Sequence, residues 1–488
     1  MAQTNQTEKQ SNQAGKELLF SFENRWHEAD DARRQEIMDF SEGYKIALDE
    51  GKTEREFVDT SIAALTQAGF VPLDSKEKLQ PGDRVYSNVR GRGLVAAVIG
   101  RSDPVEGFNL IGAHIDSPRL DLKQNPLYEK ADLALLKTHY YGGIKKYQWT
   151  AIPLSLHGVL HRADSSAVKI CIGEDADDPV FCVTDLLPHL DKQQMERKSQ
   201  DIIKGEELNI LVGGIPFPDK DTENRFKLGV MQLLHDKYQI VEKDFITAEI
   251  EAVPAFAARD IGFDRSFVGG YGQDDRVSAY TALRAIIDLD TVNRTALMIL
   301  YDKEEVGSMG NTGAESDLYF NIQNEIFAKQ ADSEPTYREY QMNLANSYVL
   351  SSDVTNAHDP TFEFVSDIQN NAHAGRGIAF SKYGGVRGKG DTSDASSEYY
   401  AAVIRLMDEH KIAWQAGEMG IVDEGGGGTV AMLQAAKGME VIDCGVPVLS
   451  MHSCYEVTSK LDIYETYRAN KVFFEHMKLL PGLNRLHY

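Results

Sequence analysis

The sequence predicts an α/β fold, and three observations predict it. Apolar runs of strand length recur at residues 94–99, 110–111, 296–301, 348–350 and 446–449, each bounded by glycine or polar residues. They are continuous rather than alternating, the pattern of strands buried on both faces of a sheet. Helical stretches such as 276–289 and 396–410 lie between several of them, so a central sheet flanked by helices follows. The third observation is a change of texture from 124 to 267. Short β-like pieces crowd together there (149–156, 168–172, 209–212) around a charged stretch at 191–207. That segment reads as an inserted β-rich domain, leaving 17–123 and 268–488 as one discontinuous unit.

The remaining elements follow in chain order. Residues 1–16 are polar and Gln/Asn-rich, with no apolar stretch of the kind a secretory signal needs, and read as a disordered leader. Two amphipathic helices come next. The second opens at Thr53, with Glu56 at capping-box spacing, carries Val58, Ile62 and Leu65 on one stripe, and stops near Gly69. The glycine run at 424–429 (EGGGGT) lacks the Lys-Ser/Thr that would touch phosphate and metal. It reads as a turn that lets backbone approach closely, near a ligand.

Composition narrows the function. A chain of 488 residues, 42% hydrophobic and 26% charged, holds two or more globular units. It is neither collagenous, disulfide-stapled nor wholly disordered. A net charge of −24 argues against a nucleic-acid partner, which needs a concentrated Lys/Arg field. No apolar run approaches the ~20 residues of a membrane-spanning helix. Four cysteines without a C-x-x-C motif point to free thiols in a reducing, cytoplasmic compartment.

The chemistry lies in polar clusters that follow the apolar runs. His114 and Asp116 stand two apart at a strand end, so both face one side. The imidazole can take a metal while Asp116 approaches it or orients a neighbour. Glu304 and Glu305 are adjacent and reach one site only if the backbone turns, with Gly307 close by to help. One carboxylate would then bind metal and the other hold an attacking water. Asp353 and His452 each end an apolar run, and Asp274 opens a helix. Singly, each reads equally well as a solvated strand end or a helix cap. Together, two imidazoles and three carboxylates are expected at the carboxyl ends of sheet strands or the adjoining turns, where open α/β sheets bind ligands. This set is zinc-competent, and a bridging Asp can hold two ions ~3.5–4 Å apart. Such a pair suits peptide or amide hydrolysis.

The strings GAHIDSPRLDLK (112–123), QDDRVSAY (273–280), DKEEVGSMG (302–310), SSDVTNAHDP (351–360) and GVPVLSMHS (445–453) resemble those of the aspartyl aminopeptidase family. These are dizinc exopeptidases related to yeast vacuolar aminopeptidase I, and the bacterial branch is the most similar. The resemblance implies a zinc-dependent exopeptidase fold, with a central mixed sheet flanked by helices and an inserted β-rich dimerisation domain. It implies His114, Asp274 and Asp353 on one zinc, and Asp274, Glu305 and His452 on the other. Glu304 would be the general base and Asp116 would orient His114, with a cis peptide at Asp274–Asp275. It further implies peptide substrates with a free N-terminus, an acidic first residue, and a tetrahedral homododecamer built from dimers. Lys389 would serve the acidic side chain, His189 (or Gln193 in its place) would reach a partner's site, and Glu418 or Asp423 would meet the substrate amine. His358 is displaced from a family histidine and is not expected to be a ligand. Zinc, cobalt and manganese all accept such ligands. The competing readings are an aminopeptidase for neutral or hydrophobic residues, a carboxypeptidase or deacylase with Arg119, Arg276 or Arg387 clamping a carboxylate, and a non-catalytic assembly protein.

Overall fold

The computed structural model describes residues 18–162 and 164–480, so the polar leader lies outside the described residues. The apolar runs form the middle of a nine-stranded mixed sheet. In spatial order its strands are Val71–Pro72, Arg84–Val89, Gly93–Val98, Ala296–Tyr301, Asn109–His114, Tyr348–Ser352, Glu440–Gly445, Ile378–Ser381 and Trp414–Ala416. The four from Ala296–Tyr301 to Glu440–Gly445 are mutually parallel. Successive side chains serve opposite cores: Leu94, Ala96, Ile111, Met298 and Leu350 on one face, Val95, Leu110, Leu297 and Val349 on the other. Burial on both faces is why these runs carry no polar alternation.

Helices Asp31–Glu50, Glu54–Gln67, Gln273–Ile287, Ser397–Glu409 and Lys460–His476 contribute to the first core. Asp317–Gln330 and Tyr337–Ala345 contribute to the second. The helix at Glu54 begins with the expected reciprocal cap. The Thr53 hydroxyl accepts from the Glu56 amide at 3.3 Å, and the Glu56 carboxylate accepts from the Thr53 amide at 3.1 Å. Val58 and Leu65 are buried, with Ile62 packed beside them.

Two further sheets lie among the described residues. Seven antiparallel strands between Arg119 and Pro254 enclose their own core, in which Trp149 is fully buried. The expected strand at 149–156 starts later, at Leu154, because Lys146–Trp149 forms a 3-10 turn. Helix Arg225–Tyr238, not legible in the sequence, lies against this sheet with no side chain fully buried.

The third sheet has five short strands: Arg259–Ile261, Phe267–Gly270, Glu456–Ser459, Pro447–Leu449 and Thr355–Asn356. The apolar run at 446–449 therefore divides differently from expectation. The central sheet takes Glu440–Gly445, and Pro447–Leu449 crosses to the small sheet beside Thr355–Asn356. Gly445 sits at that crossing, where a Cβ would lie 1.8 Å from the Asp353 carbonyl oxygen. The glycine run at 424–429 also makes a close approach, but to the chain itself: a Cβ on Gly425 or Gly426 would meet the carbonyl of Met419 or Gly385.

Gly445→Ala must push the Asp353 backbone aside. Overpacking of this kind costs ~1–3 kcal/mol. Chemical denaturation should show a loss of that order.

Candidate metal centre

The carboxyl ends of the parallel strands and the turns of the small sheet converge on one place. His114 ends its strand, Glu304 and Glu305 follow Tyr301, and Asp353 follows Ser352. Asp274 opens helix Gln273–Ile287 as the chain leaves the small sheet. His452 lies in the turn between Pro447–Leu449 and Glu456–Ser459. Asp274 is central: its Oδ1 is 3.1 Å from His114 Nε2 and its Oδ2 is 3.0 Å from His452 Nε2. Asp353 Oδ1 is 3.7 Å from His114 Nε2, and Glu305 Oε1 is 3.5 Å from His452 Nε2. Glu304 Oε2 stands 3.9 Å from His114 Nε2.

Each imidazole is fixed through its other nitrogen. His114 Nδ1 lies 3.0 Å from the Asp116 carbonyl oxygen and 3.3 Å from its Oδ1. His452 Nδ1 lies 2.9 Å from the Gly143 carbonyl oxygen. A carbonyl oxygen only accepts hydrogen bonds, so Nδ1 carries hydrogen in both rings, and Nε2 faces Asp274, donating to it when the ring is protonated and free to offer its lone pair where a cation takes the proton's place. Backbone geometry aims the rest. Lys303 has φ +68° and turns the chain so that both glutamates reach the site, while His452 itself has φ +61°. The Asp274–Asp275 peptide is cis, as expected.

Asp116 does more than meet His114. Its Oδ1 accepts from the Glu304 amide at 3.1 Å and its Oδ2 from the Glu305 amide at 3.2 Å. Oδ2 also accepts from the Tyr141 hydroxyl at 2.7 Å. Two buried acids escaped the sequence reading. Glu456 accepts from the His452 amide at 2.7 Å and the Asp274 amide at 3.1 Å, tying the two segments together. Asp275 Oδ2 accepts from the His114 amide at 3.3 Å, and Asp275 can also join His114 and Asp353 around a cation. Asp275 was visible only as the neighbour of Asp274. Glu456 gave no signal beyond lying four residues after His452.

The electrostatics ask for cations. Burial and then the Asp353 and Asp116 charges push Glu304 up to about 8, against the pull of His114. Burial and Asp274 raise Glu305 well above the carboxylate range, and burial and Asp353 do the same for Asp275. Burial opposes ionisation of Asp274, but hydrogen bonds from His114 and His452 overcome it and hold it low. The acids outnumber the imidazoles in a buried site, and Glu305 Oε1 and Asp275 Oδ1 are buried without a hydrogen-bond partner. Imidazole nitrogens and carboxylate oxygens so arranged fit two divalent cations such as zinc, and nothing in the donor set opposes them.

The other named residues stand apart from this cluster. Lys389 pairs with Asp394 at 3.0 Å and lies 3.6 Å over the Tyr383 ring. Glu418 is half-buried beside Tyr383, and Asp423 and His189 are exposed. Gln193 is exposed in the short helix Lys192–Met195. His358 is 3.8 Å from Glu363, and its ring is 4.8 Å from that of His373. Among the described residues, none of these hydrogen-bonds or ion-pairs with the five ligand candidates. All four cysteines are free thiols, and among the described residues no helix is long and apolar enough to cross a membrane.

Known proteins resemble this sequence and share this fold. Residues 47–474 match the family described as aminopeptidase I zinc metalloprotease (M18). A probable M18 family aminopeptidase 1 of Clostridium acetobutylicum is 46% identical over 94% of this chain and 99% of its own length. Its counterpart in Thermotoga maritima is 43% identical over 93% of this chain and 99% of its own. Among solved structures, the M18 aminopeptidase of Thermotoga maritima superimposes with TM-score 0.90 at 42% identity, covering 94% of this chain and all of that one. A Saccharomyces cerevisiae mApe1 dodecamer shares the fold, with TM-score 0.72 at 20% identity over 91% of this chain and 96% of that one. The chain belongs to the M18 family of zinc metalloproteases and is a metal-dependent aminopeptidase.

Proposed function

We propose that the protein releases N-terminal residues, acidic ones preferentially, from short peptides by hydrolysis at a dinuclear zinc centre. The observation that carries this reading is Asp274, which offers one carboxylate oxygen to the neighbourhood of each imidazole. His114, Asp274 and Asp353 would hold one ion, and Asp274, Glu305 and His452 the other. Bound there, zinc supplies Lewis acidity to the scissile carbonyl and lowers the pKa of water. Glu304 is left free by this ligand set, and its carboxylate faces the same space. It takes the proton of the attacking water and returns it to the leaving amine. Asp116 fixes where that carboxylate stands by holding the Glu304 and Glu305 amides, and the Tyr141 hydroxyl holds Asp116.

A carboxypeptidase would need an uncommitted guanidinium at the site. Arg119 is buried and paired with Glu251 and Asp121, and Arg276 is buried and donates to the Gly51 carbonyl, which leaves only Arg387, exposed two residues before Lys389, for that role. Of the side chains named for the substrate, Lys389 supplies the positive charge for an acidic first residue, releasing Asp394 to do so. Glu418 or Asp423 would meet the amine. The segment 124–267 would be the dimerisation domain. Exposed Leu186, Leu187, Leu190 and Met195 support that reading, since apolar groups there gain by being covered. His189 lies in the same exposed stretch and would reach the partner's site. The dodecamer of the yeast neighbour supports a larger homo-oligomer, which we read as a tetrahedral assembly of such dimers. The free thiols suit a cytoplasmic location.

A panel of fluorogenic aminoacyl substrates with EDTA and metal add-back tests the reading. Acidic substrates should turn over fastest, EDTA should abolish activity, zinc, cobalt or manganese should restore it, and N-blocked peptides should resist. Fastest turnover of neutral substrates would overturn the acidic preference. Glu304→Gln should keep its zinc and lose at least ~100-fold in kcat, the scale of general acid–base catalysis. Tyr141→Phe removes a hydrogen bond to a charged group, of order 1.5–3 kcal/mol. It should lower kcat about tenfold with KM and zinc content held. Light scattering should report a mass far above that of a dimer.

A further inference from the structure

A second set of metal-ligating side chains lies outside the catalytic centre, where helix Glu54–Gln67 meets the edge of the seven-stranded sheet. His157 and Cys171 are cross-strand partners on strands Leu154–His161 and Ala167–Ile172, so both project from one face. That face meets Glu56. His157 Nδ1 is 2.8 Å from Glu56 Oε1, and ligand atoms of Glu56, His157 and Cys171 lie within 4.8 Å of one another.

Three features make this more than a chance meeting. The far nitrogen of His157 is held: Nε2 is 2.9 Å from Glu174 Oε1, and Lys52, itself buried, binds both Glu174 oxygens at 2.7 and 2.8 Å. A carboxylate on the distal nitrogen is how proteins orient a metal-bound imidazole, and here it turns Nδ1 toward Glu56. Glu56 divides its work as well. Oε2 is occupied by the Thr53 cap at 3.1 Å, which leaves Oε1 to face the cluster. Finally, thiolate, imidazole and carboxylate together select a thiophilic divalent ion, and Cys171 is exposed, so an ion and a water in the fourth position have access.

We propose that Glu56, His157 and Cys171 form a third metal site, for zinc or another thiophilic divalent cation, clipping the first helices of the chain to the seven-stranded sheet. Binding displaces the thiol proton of Cys171 and the Nδ1 proton of His157. The site shares no residue with the dinuclear centre and does not rest on the function proposed above. Its alternative is a protonated His157 bridging Glu56 and Glu174 with no metal.

The test uses the full-length holoenzyme. Cadmium is the probe, because a cadmium–thiolate bond adds an ultraviolet charge-transfer band that the nitrogen and oxygen ligands of the catalytic centre cannot produce. The wild type and a Cys182→Ser control should show the band, and Cys171→Ala should lack it. Cys171→Ala should also retain one zinc fewer per chain after dialysis, with kcat unchanged, because Cys171 is exposed and outside the catalytic centre. Zinc should slow the reaction of the wild-type thiol with a disulfide reagent. His157→Gln, with Cys171 intact, should likewise lose the band and the extra zinc. A band that persists in Cys171→Ala, or equal zinc content in wild type and Cys171→Ala, overturns the proposal and leaves the protonated bridge.

Discussion

The carboxylate of Asp274 stands between two imidazoles, 3.1 Å from one and 3.0 Å from the other, and the rest of the site is arranged to keep it there. A single carboxylate cannot hold two rings apart unless both rings and the carboxylate's own backbone are fixed. Glu456 supplies much of that restraint by gripping the amides of His452 and Asp274 with its two oxygens. Its burial is tolerable because both oxygens are satisfied by hydrogen bonds. Crowding the remaining acids around this pair raises their affinity for positive charge, and two divalent ions meet that demand better than protons do.

The seven-stranded sheet takes part in the centre rather than merely adjoining it. Tyr141, at the end of strand Leu133–Tyr141, donates to Asp116, and two residues on the Gly143 carbonyl accepts from His452. One short corner of chain thus touches the supports of Glu304 and Glu305 on one side and of His452 on the other. Arg119 lies 3.9 Å over the Tyr141 ring and pairs with Glu251 of the same sheet, so the corner is anchored from behind. Movement of this sheet relative to the central one would reach both histidines, through Asp116 and Gly143.

The sequence alone determined four strands of the central sheet, at 94–99, 110–111, 296–301 and 348–350, and the order of the site along them; Glu440–Gly445 and the outer strands it did not mark. Short continuous apolar runs bounded by glycine and polar residues suit strands covered on both faces, and the polar residues that end such strands fall together because parallel strands share one carboxyl edge. Thr53 and Glu56 announced a helix start because a capping box is a local arrangement. His114, Glu304, Glu305 and Asp353 were legible for the same reason: each follows a strand that the sequence marks.

Tertiary structure decided what came from elsewhere. The small sheet that carries Asp274 and His452 to the centre has strands of two to four residues, too short for any periodicity. Glu456, Asp275 and Tyr141 act through partners hundreds or tens of residues away or through a local turn, and an acid or a phenol carries no mark of the amide or carboxylate it will meet. The same holds for His157 and Cys171, whose cross-strand pairing is fixed by register and whose encounter with Glu56 is fixed by how a helix lies on a sheet. Pattern along a chain records burial and local geometry; which distant side chains share a few ångströms is set by packing alone.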